Sequence, residues 1–296
     1  MNGGGSWRRL SGYLFVAPYL VLFAAFVLLP VLFGLGLSLF RWEMLSPLAP
    51  EYIGLDNYRE AVGDEYFWMA VRATGLFVVM AVPMTIVMAM TISLGLAALN
   101  KRRALYRAAY FLPVMINISV AGILWRWFYN SEFGLFNAYL AKVAARFGTT
   151  AAKVPWLSDP RVAMPSVVLM TLWWHVGGPT VILLAGIKQI PESYYEAAAL
   201  DGASASQRFT HITLPLLKPV LLFVIVMNLI GSFQVFGQTF IMTRGGPELS
   251  TRVLVQYIYE SAFNFYRMGY SAAMSWLLFV AIAAVAALHF FLLRER

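Results

Sequence analysis

The chain consists of long apolar runs separated by short polar stretches. Six of these runs reach the length of about 20 residues that an α-helix needs to cross the hydrocarbon core of a bilayer. They cover residues 11–40, 68–99, 105–128, 165–187, 216–242 and 271–293. The pattern therefore predicts an all-α membrane protein with six transmembrane helices.

Proline residues within these runs predict irregular helices. The first predicted span contains Pro30, where we expect it to tilt or to break, and the next two contain Pro83 and Pro113. A proline leaves one helix carbonyl without its hydrogen-bond partner, and in a bilayer only neighbouring helices or water can satisfy that carbonyl. The sequence thus favours a packed bundle with a pathway over six isolated helices.

One mostly polar stretch, residues 191–215, interrupts the apolar pattern between the fourth and fifth predicted spans. Its three consecutive alanines favour a helix with almost no side-chain bulk. Gly202 is suited to end that helix, because glycine adopts the left-handed conformation without strain. A second short helix is predicted over residues 203–211, ending before Pro215. The expected product is an exposed, bent pair of small helices that suits docking into a cleft.

The composition agrees with a polytopic membrane protein. Of the 296 residues 60% are hydrophobic and 12% are charged, whereas a typical soluble domain has about 25% charged residues. The net charge of +8 raises nucleic acid as a partner. The basic residues lie at the ends of apolar runs rather than along one face, so we expect no nucleic-acid binding. The absence of cysteine excludes disulfides and thiolate metal ligands.

Basic residues also predict the orientation in the membrane. They cluster before the first span (Arg8, Arg9), between the second and third (Lys101, Arg102, Arg103, Arg107) and after the sixth (Arg294, Arg296). Lysine and arginine beside short loops mark the cytoplasmic side. We therefore predict that both termini are cytoplasmic, with residues 1–10 as a tail and residues 11–296 as a single transmembrane domain. The stretch 191–215 falls on the same side.

The polar stretch also carries a family resemblance. Its pattern resembles the EAA loop of binding-protein-dependent ABC importer permeases, at Glu196, Ala197, Ala198, Asp201, Gly202, Ala203, Phe209, Ile212, Leu214, Pro215 and Pro219. The runs IGLDNYREAV, from Ile53, and TRGGP, after the fifth span, look like segments of sugar-type permeases. Within that family the chain is most similar to the carbohydrate branch with maltose-type and glycerol-3-phosphate-type members. The resemblance implies the fold of a type I ABC importer permease.

The same resemblance implies a set of partners and a place in the cell. It implies a second homologous permease subunit, two copies of a cytoplasmic ABC ATPase, and an extracellular or periplasmic solute-binding protein. Glu196, Ala197, Ala198, Asp201, Gly202, Ala203, Phe209 and Pro215 would then couple this chain to the ATPase. The chain itself contains no GxxxxGK[ST] phosphate-binding loop, so ATP and Mg would be bound by the partner and no cofactor by this chain. The expected location is the cytoplasmic (inner) membrane of a bacterium or archaeon.

The fifth predicted span supplies candidates for a solute pathway. Its neutral polar residues are Asn228, Ser232, Gln234 and Gln238, and Trp174 adds an aromatic ring from the fourth span. Neutral amides, hydroxyls and aromatic rings suit a sugar or polyol, although hydrogen bonding between helices is an alternative role for the same side chains. Many members of the family have an acidic residue where Gly237 stands, so details of the solute do not carry over.

Two other classes of protein remain open. A self-sufficient secondary carrier or channel for a small neutral solute would transport without partners, and usually has intramembrane charges or paired repeats that this sequence lacks. A polytopic membrane enzyme would need a cluster of acid, base or metal-binding residues. His175, His211 and His289 are scattered along the chain, so we expect neither a catalytic residue nor a metal site.

Overall fold

The computed structural model describes residues 15–99 and 103–294, and most of this part is helical. The chain divides into two units. One contains the described residues up to Asp64 together with Ile258–Phe279, and the other contains Glu65–Tyr257 and the described residues from Val280 onward.

The helices of the described chain are numbered in chain order. In order they are α1 (Phe15–Leu37), α2 (Asp56–Gly63), α3 (Glu65–Ala98), α4 (Arg103–Phe111), α5 (Ile118–Phe128), α6 (Leu135–Arg146), α7 (Pro160–His175), α8 (Gly177–Ile187), α9 (Glu192–Leu200), α10 (Ala205–Phe233), α11 (Gly237–Met242), α12 (Leu254–Phe263) and α13 (Met268–Arg294). A 3₁₀ turn, Leu112–Met115, follows α4, and strands β1 (Phe40–Arg41) and β2 (Glu51–Tyr52) pair antiparallel.

Four helices of the described chain are long and apolar enough to cross a membrane, namely α1, α3, α10 and α13. The number rises to six if each of two bent pairs forms one span. The segment Leu105–Met115 meets α5 at 96°, and α7 meets α8 at 50°. These elements correspond to the six predicted spans, and the bends fall beside Pro113 and the Gly177-Gly178-Pro179 run.

The predicted short helix over residues 203–211 is wrong at its C-terminal end. The helix that begins at Ala205 continues through Pro215 as part of the long helix α10. A π-helical turn, Phe209–Thr213, precedes the proline, and the Leu214 N–H donates to the Phe209 carbonyl. The proline then occupies the first turn of the next α-helical segment, where its missing N–H is tolerated.

Helix α1 uses the same arrangement at Pro30. A π-helical turn, Ala24–Leu28, comes immediately before the α-helical segment that contains the proline in its first turn. The helix therefore stays continuous at the position where the sequence allowed a break. The fifth predicted span, by contrast, is not one continuous helix, because α10 ends at Phe233 and α11 begins only at Gly237.

Helix α3 is central to the second unit and packs against α7, α8 and α10. Its buried face carries small residues, including Ala70, Ala81 and Ala89, which allow close approach of neighbouring helices. The Ser93 hydroxyl on α3 donates to the Thr180 carbonyl on α8 at 3.0 Å. Close packing and hydrogen bonding between helices thus hold the spans of this unit together.

An aromatic cluster forms a second part of the same core. It consists of Trp125, Phe128, Tyr129, Phe136, Trp156 and Trp173, with paired ring centroids 5.0 to 6.3 Å apart. Asn137 fixes the adjoining loop, because its amide donates to the carbonyls of Ser131 and Val154 and accepts from the Val154 N–H and the Trp156 indole. Trp125, Tyr129 and Asn137 are buried, and the other four rings are half-buried.

The first unit is organised around Asn57 on α2. Its buried amide donates to the Ser38 carbonyl at 2.8 Å and to the Phe40 carbonyl at 2.9 Å. An ion pair between Arg267 and Glu60 joins α2 to the segment before α13. No residue of α1 between Ala24 and Leu37 is buried in this structure.

Candidate functional site

The polar hairpin, residues 191–213, begins with a helix whose capping follows from the sequence. Pro191 is the N-cap of α9, and Glu192 lies in the first turn. A carboxylate is favoured there by the partial positive charge of the helix N-terminus. The helix ends at Leu200 and is followed by Asp201 as C-cap.

The turn after α9 confirms the expectation for Gly202. This residue has φ of +76° and occupies the left-handed conformation. The Gly202 N–H donates to the Ala199 carbonyl at 3.1 Å, and the Ala203 N–H donates to the Ala198 carbonyl at 2.8 Å. These two bonds form a Schellman motif, which satisfies carbonyls that the end of a helix would leave free.

A capping box starts the second half of the hairpin. The Ser204 hydroxyl accepts from the Gln207 N–H at 3.3 Å, and the Gln207 side chain accepts from the Ser204 N–H at 2.8 Å. The Tyr195 hydroxyl is hydrogen-bonded to the buried Thr213 hydroxyl at 2.9 Å. The bend between the two helices is therefore fixed by local hydrogen bonds, and one side-chain contact attaches α9 to α10.

The remaining surface of the hairpin is open to solvent. Glu196, Ala197, Asp201, Gly202 and Pro215 are exposed, and Ala198, Ala203 and Phe209 are half-buried. A shallow groove of about 390 Å³, the hairpin groove, is lined by Ala198, Asp201, Gly202, Ala203, Gln207, Arg208, His211 and Ile212. Of the eight residues expected to couple the chain to the ATPase, seven thus lie on the hairpin itself, and Pro215 follows it in α10.

Leu200 is a feature of this surface that sequence reasoning missed. Its side chain is 90% exposed at the tip of α9. The available signal was a large apolar residue placed between an alanine run and an Asp-Gly turn. The side chain lies next to Asp201, which lines the hairpin groove, and is available for contact with another protein.

Four of the predicted pathway residues lie on α10, on α11 or between these helices, and Trp174 lies on α7. Asn228 and Ser232 are one turn apart on α10, Gln234 is exposed in the break between Phe233 and Gly237, and Gln238 lies on α11. The break therefore separates Asn228 and Ser232 from Gln238.

Asn228 is nearly fully buried, with 5% of its surface exposed, and it donates to the Val224 carbonyl of its own helix at 2.8 Å. His175, at the end of α7, lies within hydrogen-bonding reach of the Asn228 side chain. The proximity of these two residues has no signal in the sequence, since it depends on how α7 packs beside α10.

Trp174 is held by the backbone of another predicted span. Its indole N–H donates to the Ile116 carbonyl at 2.9 Å. Ile116 lies at the break between the 3₁₀ turn and α5, where the carbonyl has no helical partner. The indole thus stabilises a bend, and its ring remains half-buried.

The described residues contain no group of three or more His, Cys, Asp or Glu side chains that could hold a metal ion. His175, His211 and His289 lie on different helices of this part of the chain.

Comparison with known proteins places this geometry in a family. The pattern of the family described as "Binding-protein-dependent transport system inner membrane component" matches residues 76–294. The probable ABC transporter permease protein YesP of Bacillus subtilis (strain 168) is 36% identical over 286 residues, covering 95% of this chain and 90% of YesP. The lactose transport system permease protein LacF of Rhizobium radiobacter is 33% identical, covering 97% of this chain and 95% of LacF.

A third relative and a solved structure agree with these matches. The trehalose/maltose transport system permease protein MalF of Thermococcus litoralis is 33% identical, covering 92% of this chain and 89% of MalF. A chain in the crystal structure of a bacterial ABC transporter that imports the acidic polysaccharide alginate has the same fold, with a TM-score of 0.82 at 22% identity. The alignment covers 97% of this chain and 96% of that chain. The protein is therefore a multi-pass membrane permease with the type I importer fold, and it belongs to the family of binding-protein-dependent transport system inner membrane components.

Proposed function

We propose that this chain is the permease subunit of an ATP-driven importer and forms half of the translocation path for a sugar or polyol. Relatives that cover nearly all of the chain are named as permeases for lactose and for trehalose and maltose. The neutral side chains of α10 and α11 support a solute without charge, because hydroxyl groups of a sugar can pair with amides and hydroxyls.

The observation that carries the proposal is the exposed polar hairpin with Leu200 at its tip. The hairpin is fixed by its own capping bonds, and the small residues Ala198, Gly202 and Ala203 line part of the hairpin groove. Because the second helix of the hairpin is the start of α10, a displacement of the hairpin is transmitted along α10. We therefore assign the hairpin as the contact with a separate cytoplasmic ATPase, through Glu196, Ala197, Ala198, Asp201, Gly202, Ala203, Phe209 and Pro215.

The proposed assembly contains four further subunits or proteins besides the lipid bilayer. A second homologous permease completes the path, two copies of the ATPase bind ATP and Mg, and a solute-binding protein delivers the solute. Support for the last of these comes from the alginate importer, whose structure was solved in complex with an alginate pentasaccharide-bound periplasmic protein. The family description also names dependence on a binding protein.

The proposed orientation places both termini and the hairpin in the cytoplasm of a bacterium or archaeon. It rests on the basic residues at the ends of the spans. Of these, Lys101, Arg102 and Arg296 lie outside the described residues, as do Arg8 and Arg9. A cysteine introduced at Ser206, which is exposed on the hairpin, would react with an impermeant maleimide in inside-out vesicles and be protected in intact cells.

The function is tested by reconstituting the chain with its ATPase, second permease and binding protein. ATP hydrolysis is then measured across a panel of uncharged sugars, polyols and glycerol 3-phosphate. The proposal predicts stimulation by one or more uncharged sugars or polyols. Stimulation by glycerol 3-phosphate alone would contradict the neutral pathway, and uptake by this chain alone without ATP would identify a secondary carrier or channel.

A further inference from the structure

A second cleft lies where α3 and α8 end and α9 and α10 begin. This membrane-end cleft has a volume of about 660 Å³, and Arg208 is the residue that it shares with the hairpin groove. One wall is apolar and includes Leu94, Ala97 and Ile187. The charged groups come from the segment after α8 and from α9 and α10. The lining therefore combines apolar residues from the ends of two predicted spans with charged residues outside those spans.

The charged groups of the cleft are Lys188, Glu192 and Arg208. Two cations and one carboxylate give the lining a net charge of +1. Across residues 15–99 and 103–294 none of the three forms an ion pair. Tyr195 and Thr213, which also line the cleft, are hydrogen-bonded to each other.

Arg208 has an unmet hydrogen-bonding requirement. Its Nε atom is buried and has no acceptor among the described residues. A buried donor without a partner destabilises the folded state, and the penalty is larger for a charged group. Phosphate oxygens are suitable acceptors, since guanidinium and phosphate form short, charge-assisted hydrogen bonds.

The position of the cleft decides which phosphate compound fits it. Ala98 and Ile187 are the last residues of α3 and α8, at the ends of two predicted spans and therefore at a boundary between membrane and water. Basic pockets between spans at the cytoplasmic boundary suit anionic lipid headgroups. A free phosphate would leave the apolar wall in contact with water, whereas a phospholipid would cover it.

We propose that the membrane-end cleft binds one anionic phospholipid, with its phosphodiester on Arg208 and Lys188 and its glycerol and acyl portion along the apolar wall of α3 and α8. An anionic phospholipid such as phosphatidylglycerol has one net negative charge, which matches the net charge of the lining, whereas the choline cation of phosphatidylcholine cancels the charge of its phosphodiester. Because Arg208 lines both the cleft and the hairpin groove, the bound lipid fixes the base of the polar hairpin. This inference rests on the proposed function only for the assignment of this face to the cytoplasm.

The test is a titration of the purified full-length chain in mild detergent, followed by native mass spectrometry. Phosphatidylglycerol is the probe and phosphatidylcholine is the neutral comparison. We expect one phosphatidylglycerol to bind at least tenfold more tightly than phosphatidylcholine, and Arg208→Gln to weaken it about tenfold. Lys218→Gln is the matched control, since Lys218 lies on α10 outside the lining and its substitution removes the same charge.

A second variant distinguishes a specific change in lipid binding from misfolding. Glu192→Gln removes the one carboxylate among the charged groups of the lining and should tighten phosphatidylglycerol binding severalfold, an increase that a damaged structure would not produce. Equal affinity for the two lipids would overturn the proposal, and so would wild-type binding by Arg208→Gln. Displacement of the lipid by excess inorganic phosphate would assign the cleft to a free anion instead.

The outcome is independent of transport. The titration uses neither ATP nor solute, so loss of the lipid site would leave the proposed importer function standing. Conversely, failure of solute-stimulated ATP hydrolysis with a preserved lipid site would count against the importer function alone.

Discussion

Two regions of the second unit are ordered by opposite means. The aromatic cluster around Trp125 is held by buried and half-buried rings and by the amide of Asn137, which contacts chain segments on either side of it. The polar hairpin is held mostly by hydrogen bonds among its own residues, in a Schellman motif and a capping box, and most of its surface is exposed. A defined local structure in this protein therefore does not require burial. Substitutions in the cluster should reduce stability, whereas substitutions in the hairpin should reduce coupling.

The largest effect on stability is expected for Trp125→Ala. The substitution removes ring contacts with Tyr129, Phe136 and Trp173, and a buried tryptophan truncated to alanine destabilises a core by about 3 to 5 kcal/mol. The midpoint of thermal unfolding in detergent, followed by size-exclusion chromatography after heating, measures the loss.

Trp125→Phe provides the control for that variant. The Trp125 indole N–H is buried and has no acceptor among the described residues, so its removal sacrifices no hydrogen bond. Trp125→Phe should therefore lose less than half of the stability that Trp125→Ala loses. An unfolding midpoint for Trp125→Ala equal to that of the wild type would show that the cluster is not a stabilising core.

A smaller loss is expected for Asn137→Ala. The substitution leaves the Val154 N–H and the Trp156 indole without their acceptor, which should destabilise the protein by about 2 kcal/mol. Asn130→Ala is the matched control, because Asn130 accepts from two backbone N–H groups in an exposed turn where water can replace it. The same heating assay should rank Asn137→Ala below Asn130→Ala, and the reverse order would exclude a clamping role for Asn137.

The sequence predicted the hairpin better than it predicted the packed regions. The Asp201-Gly202 turn depends on neighbouring residues alone, so glycine chemistry was sufficient to place it. The continuation of α10 through Pro215 was missed. A π-helical turn can accommodate a proline, and no signal in the sequence predicts such a turn.

Contacts between distant segments could not be predicted from the sequence, for a different reason. The approach of His175 to Asn228 and the bond from the Trp174 indole to the Ile116 carbonyl depend on which faces of the helices meet. Apolar periodicity identifies spans but not their rotation in a bundle, since nearly every face of such a helix is apolar. The polar residues of α10 could therefore be named, while their partners could not.

A still smaller loss of stability is expected for Gly202→Ala. An added Cβ meets no atom within 4 Å, so the penalty comes only from the left-handed backbone and should be about 1 kcal/mol. Solute-stimulated ATP hydrolysis should fall severalfold as the bend relaxes, while the unfolding midpoint changes by only a few degrees.

Two controls separate strain from loss of the glycine itself. Gly202→Asn should restore most of the activity, because asparagine tolerates the left-handed conformation. Gly95→Ala, on α3, also meets no atom but has an ordinary helical backbone, so it should be neutral or slightly stabilising. Equal activity of Gly202→Ala and wild type would show that the bend of the hairpin is not needed for coupling.

The smallest effect on stability is expected for Leu200→Asp, which tests whether the hairpin contacts a separate ATPase. Leu200 is 90% exposed, so its replacement should leave the unfolding midpoint of the chain unchanged. A carboxylate placed in an apolar contact with the ATPase should reduce solute-stimulated ATP hydrolysis and uptake at least tenfold in the reconstituted complex, while Leu200→Met retains both. Normal uptake by Leu200→Asp in a fully assembled complex would contradict the claim that the polar hairpin transmits the action of a separate ATPase.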